Sequence, residues 1–200
     1  MSLKSTSYTN KSVDHFIIDA GAVYKNFEID PAIGNLVSGE LIGATEGGNE
    51  FAVETEIRNI AVDGMKGRGK GLAVKEFENP TLLVNLKEVT AQTLALTISG
   101  SNVDTTTNSI YDIITTKGTI ELTDYLENVA LVGRLSDGQP IIVVIENVIS
   151  IEGLEMKTQD GAEVVIPVKL AGHYDETHLN ANRAPYKIYY PKAPVAPVTP

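Results

Sequence analysis

The run from Gly43 to Phe77 constrains this chain more than any other stretch. After the glycine pair Gly47-Gly48, Phe51, Val53, Thr55 and Ile57 alternate with Ala52, Glu54, Glu56 and Arg58. Alternation with a period of two sends successive side chains to opposite faces and so predicts a half-buried β-strand. The run ends at Asp63-Gly64, and a glycine-rich tip carrying Lys66, Arg68 and Lys70 follows. Leu72, Val74 and Glu76 then alternate with Ala73, Lys75 and Phe77. The pattern is a long hairpin with a flexible, positively charged end. It suits a connector between subunits and lacks the parts of a catalytic site.

The tip comes close to a phosphate-binding loop. Gly64, Gly69 and Lys70 fill the fixed positions of G-x-x-x-x-G-K-[ST], but Gly71 stands where the hydroxyl that holds magnesium is required. Such a loop must also open a helix, whose first amides face the anion. Here strand-like alternation follows, so a hairpin tip is expected and nucleotide binding is not.

Two hundred residues suffice for one substantial domain that buries about 70% of its unfolded surface. There is no Cys, hence neither a disulfide nor a thiolate metal site. No apolar run approaches the roughly 20 residues that span a bilayer, so membrane insertion is not expected. The first sixteen residues are polar and lack the apolar centre of a signal peptide, which predicts synthesis in the cytoplasm. The 26 acids against 16 bases, a formal charge of −10, argue against wrapping contact with nucleic acid. They do not argue against a surface past which DNA moves without sticking.

The remaining segments predict a mainly β fold, a β-sandwich or barrel with one short flanking α-helix, a long hairpin loop and extended terminal arms. Residues 1–14 read as an N-terminal arm, 15–190 as a single domain, and 191–200 as a Pro-rich C-terminal arm. His15 to Ala20 is a strand candidate, and Gly21 to Glu40 reads as turns and short extended pieces. The helix begins at Thr90 as N-cap, with Val89 placed to staple onto Leu94. Ala91, Leu94, Ala95 and Ile98 form its apolar face, and Ser99-Gly100 stops it after about three turns. Residues 101–116, rich in Asn, Asp, Ser and Thr, read as a surface loop. Strands are expected at Gly118–Leu122, Val129–Leu135, Ile141–Ile145, Leu154–Thr158 and Val164–Ala171. The unbroken apolar run at Ile141–Ile145 predicts cover on both faces. Pro167 has no amide hydrogen and predicts an edge or a bulge.

Catalytic signatures are missing. His173 and His178 are five apart in GHYDETH, not the i, i+4 of a zinc helix, and Gly172 and Asp175 favour a turn, so a surface pair is expected. His15 reads as a strand-end residue. There is no G-x-S-x-G elbow, and Glu54 and Glu56 read as a solvated strand face. Aromatics are 6% with no Trp, a thin basis for stacking sugars. No enzyme and no cofactor is expected.

Four segments in order carry a resemblance. They are GATEGGNEF (43–51) with VDGMKGRGKGL (62–72), NLKEVTAQTLAL (85–96), DYLENVALVGR (124–134), and LAGHYDETHLNANRAPYKIYYP (170–191). Together they resemble the major tail tube protein of long-tailed, non-contractile bacteriophages over roughly residues 40–191. The family's tip is stiffer and contains Pro where this chain has Arg68-Gly69, and the Pro-rich stretch after 191 is an addition. The resemblance implies a β-sandwich with a flanking helix and six-fold rings stacked into a hollow tail tube through which DNA passes. It implies a virion component, partnered by itself, the tape-measure protein and other tail proteins, with no catalytic or cofactor residues. Within that expectation, Lys66, Arg68 and Lys70 face an adjacent ring, and the net negative charge keeps DNA off the lumen wall. A tube protein of a contractile injection or secretion device, and a carbohydrate-binding adhesin module, are the alternatives.

Overall fold

The computed structural model describes residues 7–9, 11–30 and 36–192. Most of the N-terminal arm's first half and nearly all of the Pro-rich C-terminal arm lie outside the described residues. The chain is mainly β. In order come β1 (Ala22–Ile29), β2 (Leu36–Leu41), β3 (Thr45–Asn59), β4 (Ala73–Leu86), α1 (Ala91–Thr97), β5 (Ser101–Asp104) and β6 (Ile113–Thr116). There follow β7 (Leu126–Arg134), β8 (Pro140–Ser150), β9 (Ile166–Gly172), α2 (Glu176–Ala181) and β10 (Tyr186–Tyr189). Eight strands form one antiparallel sheet in the order β2-β1-β7-β8-β9-β4-β3, with β10 also pairing β8; β5 and β6 form a separate two-stranded sheet.

β8 is where the sheet forks. One edge pairs with β7 from Pro140 to Val148. The other edge pairs with β10 over Ile142–Ile145 and with β9 over Val148–Ser150. Between the two lies Asn147 at φ 51, in the left-handed region that Asn tolerates. Beside it, a Cβ on Gly172 would sit 2.4 Å from Ile145 Cγ2 and 3.0 Å from Pro80 Cγ. Only glycine lets β9 close against β8 here.

The core follows from alternation. Leu82, Val84 and Leu86 of β4 stand opposite Leu170, Val168 and Ile166 of β9, and all six are buried. Val129, Ile145 and Val148 complete the same cluster. Each such side chain contributes about 1.5–3 kcal/mol by leaving water. Ile142, Val144, Ala130 and Phe27 form a second cluster on the opposite face. β8 is therefore covered on both sides, as its apolar run predicts. Pro167 lies in the part of β9 that pairs β4 alone, beyond the reach of β8, so its missing amide costs no ladder bond there.

Several expectations are corrected. The stretch expected to hold turns and short extended pieces holds two full strands, β1 and β2, the second running on to Leu41. A bulge at Asn26 (φ 51) hides β1: Val23 and Phe27, four apart, enter clusters on opposite faces. His15–Ala20 is not a strand. Val13–His15 is a 3₁₀ turn, and Ile17 makes a single bridge to Leu135, past the end of β7. The loop read over 101–116 contains β5 and β6, built from Val103 and the β-branched run Ile113–Thr116. Gly118–Leu122 is not a strand; Lys117 is held by Asp124 (2.5 Å) and Glu121 (3.2 Å) as the chain turns into a 3₁₀ turn at Leu122–Asp124. Leu154–Thr158 has the alternation of a strand but no partner strand to pair with, and is exposed throughout.

α1 starts at its Thr90 cap, as expected, but is shorter than three turns and buries a different face. Thr93 and Thr97 are its buried side chains, while Leu94 and Leu96 are partly covered. Burial is cheap for these hydroxyls because each finds a backbone partner: Thr93 Oγ1 donates to the Glu88 carbonyl (3.0 Å) and Thr97 Oγ1 to that of Leu94 (2.7 Å).

Candidate functional site

The hairpin is the feature that the fold leaves without an internal use. β3 and β4 pair from Thr45↔Leu86 out to Asn59↔Ala73, with an irregularity between Glu56 and Ile57. β9 supports β4 only over Thr81–Leu86. Beyond that, the two strands continue as a free ribbon. Residues 54–58 are exposed on both faces, Glu54 and Glu56 among them. The ribbon is nevertheless not polar all round. Ile57 is 58% exposed, Val62 49% and Met65 47%.

The tip has its own order. The Ile60 amide donates to the Leu72 carbonyl (2.8 Å) and the Met65 amide to that of Val62 (3.1 Å). Met65 and Leu72 close over Gly69, where a Cβ would lie 2.7 Å from Leu72 Cδ1 and 3.0 Å from Met65 Sδ. Lys66, Arg68 and Lys70 are exposed, and none makes an ion pair among the described residues. β4, not a helix, follows the tip, so the context of a phosphate loop is absent. Farther down, Arg58 bonds Glu76 across the ribbon.

The ribbon is anchored where it leaves the sheet. Glu78 receives Lys75 Nζ (2.7 Å) and the Tyr186 hydroxyl (2.8 Å), and the Tyr174 hydroxyl donates to its carbonyl (3.1 Å). Lys75 first, and Tyr186 second, hold the Glu78 carboxyl below the usual range. Behind these tyrosines lies a charge cluster around a buried histidine, unforeseen from the sequence. His178 is 2% exposed. Its Nε2 lies 2.6 Å from Glu146 Oε2 and its Nδ1 2.5 Å from Asp175 Oδ1. Arg183 and Lys187 each reach Glu146 at 2.6 Å. Burial pushes the Glu146 carboxyl up, but Arg183, Lys187 and His178 outweigh it and bring it down to about 2. The His178 amide, followed by the Asn147 side chain, lowers Asp175 to about 2 as well.

The chain has remote likenesses among solved structures. No family model matches it, and no curated protein matches it. Among solved structures, one similar chain is from the cryo-electron microscopy structure of the anti-feeding prophage baseplate, six-fold symmetrised. It is 12% identical, with 94% of this chain and 97% of that one covered, at a TM-score of 0.45. Another is the crystal structure of Hcp protein, 12% identical, covering 75% and 86%, at a TM-score of 0.30. At these identities and scores neither likeness carries an argument about function.

The site geometry corrects the expectation for the histidines. His173 and His178 are not a surface pair. His178 sits inside, on α2, which replaces the turn expected there; Asp175 caps that helix by accepting from the His178 amide (2.9 Å). His173 is directed elsewhere, with Nδ1 3.1 Å from the Ala171 carbonyl and its ring edge-on to Tyr125. His15 bonds the Tyr190 hydroxyl at 3.0 Å, near the other end of the described chain. The spacing Asp175…His178 was a usable signal, since an acid three residues before another polar side chain is a capping pattern. Glu146 carried none, because it falls inside an apolar run. Chemically the cluster is closed: two cations already occupy the carboxylate that a metal or substrate would need. Its role is to pin α2 and β10 to β8, and with them the tyrosines that brace the ribbon.

Proposed function

We propose that this chain is a structural subunit that polymerises into a hollow tube of stacked rings, the tail tube of a long-tailed phage. The observation that carries the reading is the free ribbon. Ordering a backbone costs roughly 1–2 kcal/mol per residue, and a two-stranded ribbon alone is marginal in water. A ribbon bared on both faces, with Ile57, Val62 and Met65 among its exposed side chains, gains its stability by packing against another molecule. The sheet supports the same reading. Its path ends in two free edges, β2 and β3, and all six β2 residues are exposed. Neighbouring copies can pair with such edges and close a ring.

In this reading the rings are six-fold, DNA passes through the lumen, and the tape-measure and other tail proteins are the remaining partners. Lys66, Arg68 and Lys70 contact an adjacent ring. The test is negative-stain microscopy of concentrated protein beside the triple variant Lys66→Gln/Arg68→Gln/Lys70→Gln. Hollow rods or rings from the native chain, lost in the variant at unchanged melting temperature, are the expected result. A native chain that sediments as a monomer at every concentration, with and without companion tail proteins, overturns the proposal.

A further inference from the structure

The ribbon has two ends, and the far one carries a cleft. Ile42, Gly43 and Ala44 lead directly into β3, and Glu88 and Thr90 leave β4 for α1. These residues line an open cleft of about 900 Å³ between α1 and the β1–β2 corner. Leu41, Leu96 and Ile98 supply apolar surface to it. α1 faces the cleft with Ala95, Leu96 and Ile98 beside the polar Gln92, Thr93 and Ser99. The charged groups around it are Glu40, Glu88 and Asp124, opposed by Lys25, which pairs Glu40 at 3.1 Å. Lys117 holds Asp124, whereas Glu88 only accepts from the Ala44 amide (3.0 Å).

The tip is the converse surface. Ile60, Val62 and Met65 are exposed apolar groups, and Lys66, Arg68 and Lys70 surround them with Asp63 as the single acid. Tip and cleft cannot meet within one molecule. β3 is 15 residues long, and at about 3.3 Å per residue the two lie roughly 45–50 Å apart. The other open groove, between β4 and β10, is a poorer match for a basic tip. Its lining sets Lys75, Arg183 and Lys187 against Glu76 and Glu78, whereas the cleft sets Glu40, Glu88 and Asp124 against Lys25.

We infer that the cleft between α1 and the β1–β2 corner receives the hairpin tip of a second copy of this chain. The inference rests on the self-assembly reading above and names the surface that the tip engages. Apolar groups on the tip cover the exposed side of α1, and the cations meet a lining with a surplus of acids, among which Glu88 has no cation partner among the described residues. Such a contact joins unlike surfaces, so it propagates as an open filament wherever the rotation between copies does not close.

The chain contains no Cys, so paired substitutions report contact directly. Leu41 and Met65 are both largely exposed, and replacing either leaves the core intact. Differently tagged Met65→Cys and Leu41→Cys chains are mixed under mild oxidation, in parallel with Met65→Cys and Leu179→Cys, the latter in the groove beside α2. The expected result is a disulfide-linked heterodimer with Leu41→Cys at least about tenfold above that with Leu179→Cys. Preferential linking to Leu179→Cys overturns the inference. Assemblies that form with neither link also overturn it and leave the tube reading standing, with another occupant in the cleft. No assembly and no link at any concentration, with and without companion tail proteins, overturns both.

Discussion

At the residue scale, the chain spends its unusual chemistry on holding a support in place. His178 touches two carboxylates from inside the protein, and Glu146 collects three positively polarised partners. Replacing His178 by Ala leaves a cavity and unpaired acceptors and should cost about 2–4 kcal/mol, measured by urea unfolding. The cluster also sets a pH dependence. Glu146 and Asp175 are both lowered to about 2 in the fold, from 4.5 and 3.8 respectively. Groups lowered in this way bind fewer protons folded than unfolded, so their contribution is complete above the unfolded values. It is lost as pH falls from about 4.5 towards 2. Thermal melts across that window should fall steeply for the native chain, while Glu146→Gln should start lower and fall less. Gly172→Ala is a separate case. It drives a methyl group into Ile145 and Pro80, and should cost about 1–3 kcal/mol by overpacking, read as a lower melting temperature.

At the scale of elements, the ribbon and the sheet that bears it are separable. Replacing residues 60–72 by Asn-Gly should keep the β circular dichroism and shift stability by no more than about 0.5 kcal/mol. It should also abolish assembly in sedimentation velocity. The hairpin was the most legible element because period-two alternation flanks its tip on both sides. β9 was legible for the same reason, β8 from its unbroken apolar run, and α1 was marked by its Thr90 cap. β1 was hidden because Asn26 bulges and switches Val23 and Phe27 to opposite faces. Leu154–Thr158 shows the converse failure: the pattern is present, but a strand needs a partner edge and none is supplied. The buried face of α1 was misread because Thr93 and Thr97 bond their own backbone and can be covered like apolar groups. The charge cluster was hardly legible at all. Its members come from β8, the cap of α2, the turn after it and β10, and only the folded sheet brings them together.

At the scale of the whole molecule, charge is distributed with direction. Three cations that make no ion pair among the described residues occupy the tip, in a chain whose formal charge is −10. Association through the tip should therefore weaken as salt rises, because charges separated by more than about 10 Å are screened at 0.1 M. Sedimentation between about 0.05 and 0.5 M NaCl checks this against the same screening law; an association insensitive to salt would assign the contact to apolar groups alone. The placement of the basic tip and the root of the ribbon at opposite poles has one more consequence. Any column built by repeating a single such molecule is an arrow: one terminus presents only prongs, the other only sockets. Elongation, initiation and capping at the two termini then require chemically different surfaces, so a protein that stops growth at one extremity has no purchase on the other.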